Sequence, residues 1–412
     1  MSKKPAIGFI FVTLLLDITG LGIIIPVLPT LIIELTGGSL NNAADISYAS
    51  QWGMLMMFSY ASMQFIFSPI IGGISDQFGR RRVLLFSLFG FGIDYLFMAW
   101  APTLGWLFLG RIISGIMGSN IATASAYIAD ISTPKTRAQN FGIIGAAFGL
   151  GFIIGPLMGG LLGAYGTRIP FLVSAGLVFI NWLYGFFILP ESHDVKNRRP
   201  FQWKRANPTA TLKNLKKYPV ILGMVASLIL LYISSHAVQS NWVYYTQLKF
   251  NWSIQLVGYS LAFVGFIFVI VQGGLIRVLI PALGQERSVY VGLFTSACGF
   301  ILYALATNTV MMFAVTIVYC LGSIAGPALQ GIISTQVPPD EQGELQGGLS
   351  SLQALTSIVG PLVMMGLFRI FTAENAPVYF PEISMILGAI LTLIAAILAR
   401  RSLKKNIVLP SD

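Results

Sequence analysis

Charge is what this 412-residue chain most lacks. Asp, Glu, Lys and Arg make up 10% of it, against 55% hydrophobic residues. An ordinary soluble domain carries about 25% charged residues, so there is too little charge to cover a water-facing surface. Cysteine is equally scarce. Cys298 and Cys320 both sit in apolar runs, which excludes a disulfide framework and a thiolate zinc site. Histidine is limited to His193 and His236, and no H-E-x-x-H, phosphate-loop or C-x-x-C pattern occurs. These absences speak against an integral-membrane enzyme, a resident metal and an organic cofactor.

What is present is a series of long apolar runs. A helix needs about 20 apolar residues to cross a bilayer. Twelve runs qualify: Pro5–Ile33, Ser47–Gly73, Val83–Trp100, Leu104–Ala129, Asn140–Leu162, Phe171–Leu189, Pro219–Thr246, Ile254–Leu279, Val289–Ala306, Val310–Ser334, Gly347–Phe371 and Phe380–Ala399. They are here numbered helices 1 to 12. They lack the polar/apolar alternation of a membrane barrel, so the expected fold is an all-α polytopic membrane protein. The first run is too long for a signal peptide and contains Asp17.

The net charge of +10 is explained by topology. With both termini in the cytoplasm, 21 of the 25 Lys and Arg residues fall on the inner side, the expected positive-inside bias. Arg168, Lys249 and Arg369 fall outside, and Arg111 lies within helix 4. No basic patch interleaved with aromatics remains, so nucleic acid is not an expected partner; the bilayer is.

The longest polar stretch, residues 191–218, carries eight basic residues and reads as a cytoplasmic linker. Residues Thr211–Lys217 could form an amphipathic helix on anionic lipid. A plain solvated connector explains the same residues. The linker separates an N-terminal bundle (1–190) from a C-terminal bundle (219–412). The halves repeat at an offset of 205: Gly155-Pro156 matches Gly360-Pro361, Pro134 and Gly142 match Pro339 and Gly347, and Gly79 and Arg82 match Gly284 and Arg287. Two parallel six-helix repeats with a substrate site near the midplane are a known transporter plan.

Three motifs are more specific. The turn between helices 2 and 3, Gly72 to Arg82, reads G-x-x-x-D-x-x-G-R-R, with Asp76, Gly79 and Arg80 in the set positions. A simple positive-inside turn explains the arginines but not Asp76 with two glycines. Helix 5 carries G-x-x-x-G-P-x-x-G-G from Gly151 through Gly155, Pro156 and Gly159. Such glycines let helix backbones approach closely, and helix packing alone would use them. Helix 1 carries L-D-x-x-G-x-G-x-x-x-P-V-L-P from Leu16, and helix 4 carries Arg111 with Gly115. By these motifs the chain resembles the major facilitator superfamily, within it the twelve-helix drug:proton antiporters, and most closely the tetracycline-efflux branch. Gly326 to Gly331 and Glu341 to Gly347 also resemble that branch.

The resemblance implies a monomeric exporter in a bacterial inner membrane, driven by the proton gradient and carrying a small molecule. It implies that Arg80 pairs with Asp130, and that Asp76 meets the start of helix 11, latching an inner gate. It also implies a histidine in helix 8 and an aspartate in helix 9, where this chain has Phe268 and Ser296. That departure points away from tetracycline itself. Gln272 matches the branch, and Gln239, Asn241 and Gln330 are further candidates for the substrate cavity.

Three charges fall inside spans. At about 1.5 Å per residue, Asp17 lies about 20 Å from the inner surface, Asp94 about 18 Å, and Arg111 about 20 Å within a core of about 30 Å. Charges at that depth are costly and need a partner or water. The expectation is one shared hydrated site in which a carboxylate, balanced between burial and the guanidinium, exchanges a proton against a cationic or metal-chelating substrate. A static Asp94–Arg111 pair is the plainer alternative. His236 is a second proton candidate, although a lone histidine in a polar turn usually serves as a hydrogen-bonding group. Besides proton-coupled export, a metabolite symporter or uniporter and a channel fit a polytopic chain. The helix 5 motif argues against the first, and the duplicated halves against the second.

Overall fold

A computed structural model of the protein describes residues 7–118, 120–132, 137–201, 203, 218–338 and 341–404. The expected helix at Thr211–Lys217, the repeat prolines Pro134 and Pro339, and the basic residues Lys3, Lys4, Lys135, Lys204, Arg205 and Lys405 lie outside the described residues. Among the described residues there is no strand. The spans are α1 (Ile7–Ile24 and Leu28–Thr36), α2 (Ala43–Phe78), α3 (Arg80–Ala99), α4 (Leu104–Met117 and Asn120–Ile131), α5 (Arg137–Gly163) and α6 (Ile169–Ile188). They continue as α7 (Leu222–Gln239 and Trp242–Phe250), α8 (Ile254–Ile270 and Ile276–Leu283), α9 (Gln285–Leu305), α10 (Thr309–Leu321 and Ala325–Thr335), α11 (Gln342–Thr372) and α12 (Ile383–Leu403). Eleven pass as membrane spans unaided, and α1 makes the twelfth if its bent pair counts as one.

The continuous run expected over Pro5–Ile33 is therefore broken. The two parts of α1 meet at 42°. Pro26 has no N–H to offer its turn, and the amides of Ile25 and Val27 instead close short turns on the carbonyls of Gly22 and Ile24, at 3.3 and 3.1 Å. Two further irregularities were not expected. The π-helical segment Val271–Leu275 interrupts α8, and the 3-10 segment Gly322–Ile324 interrupts α10. Gln272 Nε2 joins them by donating to the Ser323 carbonyl at 3.2 Å.

The chain divides into two compact units. The first comprises Met1–Ser39, Leu55–Asn207 and Trp252–Gly265; the second comprises Leu40–Met54, Pro208–Asn251 and Phe266–Asp412. The units depart from sequence order at the starts of α2 and α8. Glycine contacts explain both departures. In the first unit, a Cβ on Gly160 of α5 would lie 2.9 Å from Gly258 Cα, so α5 and the start of α8 touch backbone to backbone. In the second, Gly53 of α2 faces the Tyr244 ring, and Ser47 Oγ donates to the Arg369 carbonyl at 3.2 Å.

The internal repeat is visible in the backbone. Gly79 (φ 98°, ψ 152°) and Gly284 (φ 81°, ψ 156°) stand at the N-caps of α3 and α9. Such left-handed values favour glycine. Pro156 and Pro361 lie inside α5 and α11.

The second unit is clasped at one end by Lys249. Its Nζ contacts Glu382 Oε1 at 2.7 Å and donates to the Ala304 carbonyl at 2.9 Å. Both charged side chains are less than one-fifth exposed. Glu382→Gln is expected to cost about 1 kcal/mol, read as a lower thermal unfolding midpoint in detergent. An unchanged midpoint would show that the clasp contributes nothing.

Candidate functional site

The first unit brings the three intramembrane charges together. Asp17 of α1 is 7% exposed, Asp94 of α3 1% and Arg111 of α4 8%. Tyr60 of α2 and Tyr95 of α3 each interact electrostatically with all three. Ser114, one turn beyond Arg111 on the same face of α4, donates its hydroxyl to Asp94 Oδ2. Asp94 Oδ1 has no hydrogen-bond partner. Arg111 Nη2 donates to the Met98 thioether at 2.7 Å, and its Nε has no partner. Thioether sulfur is a weak acceptor, so the guanidinium is attracted to Asp94 but keeps donors unspent. Buried polar atoms without partners are rare, and each calls for a water, a ligand or a proton. A tightly satisfied Asp94–Arg111 strut would leave neither atom over.

Tyr60, Tyr95, Met98 and Ser114 were not anticipated. Tyr95 follows Asp94 directly, and Ser114 lies three residues after Arg111, the helical spacing that shares a face. That spacing was the available signal. Tyr95 turns toward α1, because a Cβ on Gly20 would lie 3.0 Å from its hydroxyl.

The glycines of α5 set the position of Asp17. A Cβ on Gly151 would lie 2.6 Å from Ile18 Cγ2, the residue next to Asp17, and one on Gly155 would lie 2.7 Å from Gly22 Cα. A Cβ on Gly159 would collide with the Ile23 carbonyl. A Cβ on Gly22 would in turn lie 2.9 Å from Pro156 Cδ. The whole G-x-x-x-G-P-x-x-G string therefore serves as a smooth bed for α1. Because backbone meets backbone at Gly155 and Gly159, the depth and rotation of Asp17 follow from this seam.

In the second unit the candidates fall into separate places. Gln330 Nε2 donates to the Tyr232 hydroxyl at 2.6 Å, and Gln239 Nε2 to Ser235 Oγ at 2.9 Å. Tyr232, Ser235 and Gln239 recur along one face of α7. His236 is 7% exposed; its ring packs on Gly360 of α11, and its Nδ1 has no partner. Asn241, a candidate for the substrate cavity, is fully buried, and neither of its amide atoms has a partner. The break in α7 between Gln239 and Trp242 turns it inward. Ser296 is 4% exposed and packed against Gly322 of α10. An aspartate there would be sealed between α9 and α10, so the exchange for serine fits the close packing. Gln272 is exposed within the π-helical segment of α8.

The α2–α3 turn carries a second cluster, also in the first unit. Arg80 is 7% exposed. Its Nη1 meets Asp76 Oδ1 and Ser75 Oγ, each at 2.5 Å, and its Nε meets Asp130 Oδ2 at 3.3 Å. The expected Arg80–Asp130 pair is present, and Asp76 is bound within its own turn. Unforeseen is the role of the segment that follows α6. Glu191 Oε1 accepts from the Arg80 amide at 2.9 Å and so caps α3, while Oε2 stands 3.9 Å from Arg198 Nη2. Ser192 Oγ donates to Asp130 at 3.2 Å. The Phe201 amide donates to Gln77 Oε1 at 3.1 Å, and the Phe201 ring covers Gly73. A Cβ on Gly79 would collide with the Glu191 carboxylate, so this glycine is required by space as well as by its φ.

Losing a helix cap costs about 1 kcal/mol. Glu191→Ala is expected to loosen the linker start, read as faster trypsin cleavage after Lys196 and Arg198 in the purified protein. An unchanged cleavage rate would show that Glu191 does not hold the segment.

Among the described residues no cluster of His, Cys, Asp and Glu could hold a metal ion. The Major Facilitator Superfamily matches residues 10–361. The class C tetracycline resistance protein of Escherichia coli is 37% identical over 401 residues, covering 97% of this chain and 98% of that protein. The class G protein of Vibrio anguillarum is 36% identical over 397 residues, covering 96% and 97%. Among solved structures, a bacterial homolog of the human lysosomal transporter Spinster, inward-facing and unoccupied, superposes with a TM-score of 0.74 at 16% identity over the full length of both chains.

Proposed function

Because this chain belongs to the Major Facilitator Superfamily, we propose that its intramembrane charges exchange protons for an exported drug-like molecule. The chain is an integral membrane transporter of small molecules and not an enzyme. The observation that carries the reading is the convergence of Asp17, Asp94 and Arg111 with Tyr60 and Tyr95, with Asp94 Oδ1 and Arg111 Nε unsatisfied. A proton on Asp94 Oδ1 removes the negative charge facing Arg111. Its departure restores that charge and frees the site to attract a cationic or chelating cargo. Proton and cargo then compete for one anionic centre, and alternating exposure of that centre to the two sides gives antiport.

The relatives are named for tetracycline resistance, and amphipathic compounds of that kind are the proposed cargo class. Phe268 and buried Ser296, in place of the histidine and aspartate that the resemblance implies, favour a cargo less dependent on acidic or imidazole groups in the second unit. Gln330 with Tyr232, Gln239 with Ser235, and Gln272 are its proposed polar contacts. The proton gradient supplies the energy, with no cofactor. The protein works as a monomer in the bacterial inner membrane with both termini in the cytoplasm, a reading supported by the basic residues collected on one side.

A drug panel on cells overexpressing the protein, with and without a protonophore, tests the reading. Resistance that vanishes with the protonophore is expected. Resistance that survives it would overturn proton coupling, and an unchanged panel would overturn drug export.

A further inference from the structure

A cavity of about 490 Å³ lies between the α2–α3 turn and the segment after α6. It is lined by Asp76, Arg80, His193, Lys196, Arg198 and Arg199. Four cations face one carboxylate. Two of the four are already engaged, Arg80 by Asp76 and Asp130, and Arg198 by Glu191. Lys196 and Arg199 are bound only through their backbone amides, to Asp194 Oδ1 at 3.2 Å and the Asp76 carbonyl at 3.4 Å. Their side chains make no hydrogen bond or ion pair among the described residues. His193 Nε2 and Arg198 Nε are buried without partners, while His193 Nδ1 stands 3.6 Å from Asp130. The pocket thus holds two unspent cations and two unspent N or N–H groups, more capacity than its own carboxylates use.

We propose that this pocket binds a phosphate group, held by Lys196 and Arg199 with His193 and Arg198 at its base. A tetrahedral oxyanion offers acceptors in several directions, which suits donors converging from two segments, and guanidinium and ammonium groups are its usual partners. The pocket lies where α3 begins. Elsewhere at the same turn Ile71, Ile74, Phe78, Val83 and Phe86, with Arg82, line a cavity of about 330 Å³ whose accessible wall is almost wholly apolar. Apolar and basic surfaces meeting at one turn mark the level at which lipid chains give way to headgroups, where anionic phosphate is concentrated. The source is an anionic phospholipid headgroup or free phosphate. A bound phosphate would tie Lys196 and Arg199 to the Glu191–Arg80 network and tighten the linker start onto the turn. The inference does not rest on proton exchange at Asp94.

The test follows the chemical acetylation rate of Lys196 by mass spectrometry in the full-length protein in phosphatidylcholine nanodiscs. Phosphatidylglycerol in the disc, or inorganic phosphate in the buffer at constant ionic strength, is expected to slow Lys196 at least about fivefold, as a charge-assisted contact to the amine requires. Protection by phosphatidylglycerol alone identifies the lipid as the source, and protection by inorganic phosphate identifies the free ion. Arg199→Gln and His193→Gln, each with an unchanged unfolding midpoint in phosphatidylcholine, are expected to lose the protection. No protection by either probe, or protection that persists in both variants, overturns the proposal.

Discussion

Asparagine in place of Asp94 is expected to stop drug-driven proton release while leaving the protein folded. Asparagine keeps the shape and still accepts from Ser114 Oγ, but it cannot load a proton on the atom that is Oδ1 in the native chain. A carboxylate whose charge is needed in every cycle leaves no slower substitute route. The exchange rate in liposomes should therefore fall by at least about tenfold, equivalent to ~1.4 kcal/mol at the limiting step, and lose its dependence on pH. Asp17→Asn is expected to do the same, because Asp17 is buried beside the same two tyrosines, Tyr60 and Tyr95, that neighbour Asp94 and Arg111. Equilibrium drug binding to the detergent-solubilised variants separates the steps. Binding retained with exchange lost assigns the residue to coupling. Full coupled exchange in both variants would remove protons from this site altogether.

The second large effect is expected at Gly155. Leucine there would drive a branched side chain into the α1 backbone, where a single methyl group already finds Gly22 Cα at 2.7 Å. Overpacking costs about 1–3 kcal/mol in cores that can adjust, and a backbone cannot swing aside as a side chain can. Gly155→Leu should sharply reduce the yield of folded protein, measured as the monodisperse fraction in size-exclusion chromatography. The surviving molecules should exchange poorly, because α1 carries Asp17. Gly145 on the same helix is the control, since a Cβ there meets nothing within 4 Å and alanine should be silent. Both substitutions raise helix propensity, so equal losses at the two positions would show that the α1–α5 contact does not govern the result.

The spans were legible because a bilayer imposes a length and a polarity that composition reports directly. The repeat was legible because Gly79 and Gly284 meet the same backbone demand. Counting residues from the basic ends placed Asp17, Asp94 and Arg111 at one depth, since rise per residue is nearly constant in a helix. Depth, however, says nothing of rotation. Which hydroxyls meet the charges depends on how α1, α2, α3 and α4 turn about their axes, so Tyr60 and Ser114 stayed hidden. The burial of Asn241 is hidden for the same reason, its direction being fixed by a break in α7 that composition does not announce. The π-helical segment of α8 contains only Val271-Gln272-Gly273-Gly274-Leu275, residues that an ordinary helix also tolerates in an apolar run. In the sequence Glu191 is simply the first polar residue of a linker. Its role as the cap of α3 depends on the chain folding back from α6, a long-range contact that no local pattern encodes.

The contact between α1 and α5 has a thermal consequence. Glycine has no rotamers to freeze, so the glycine positions of α5 surrender no side-chain freedom when the two helices dock. A joint of leucines would stiffen and soften as the membrane warmed and cooled. This one meets backbone to backbone at Gly155 and Gly159, and its fit there should vary little with temperature.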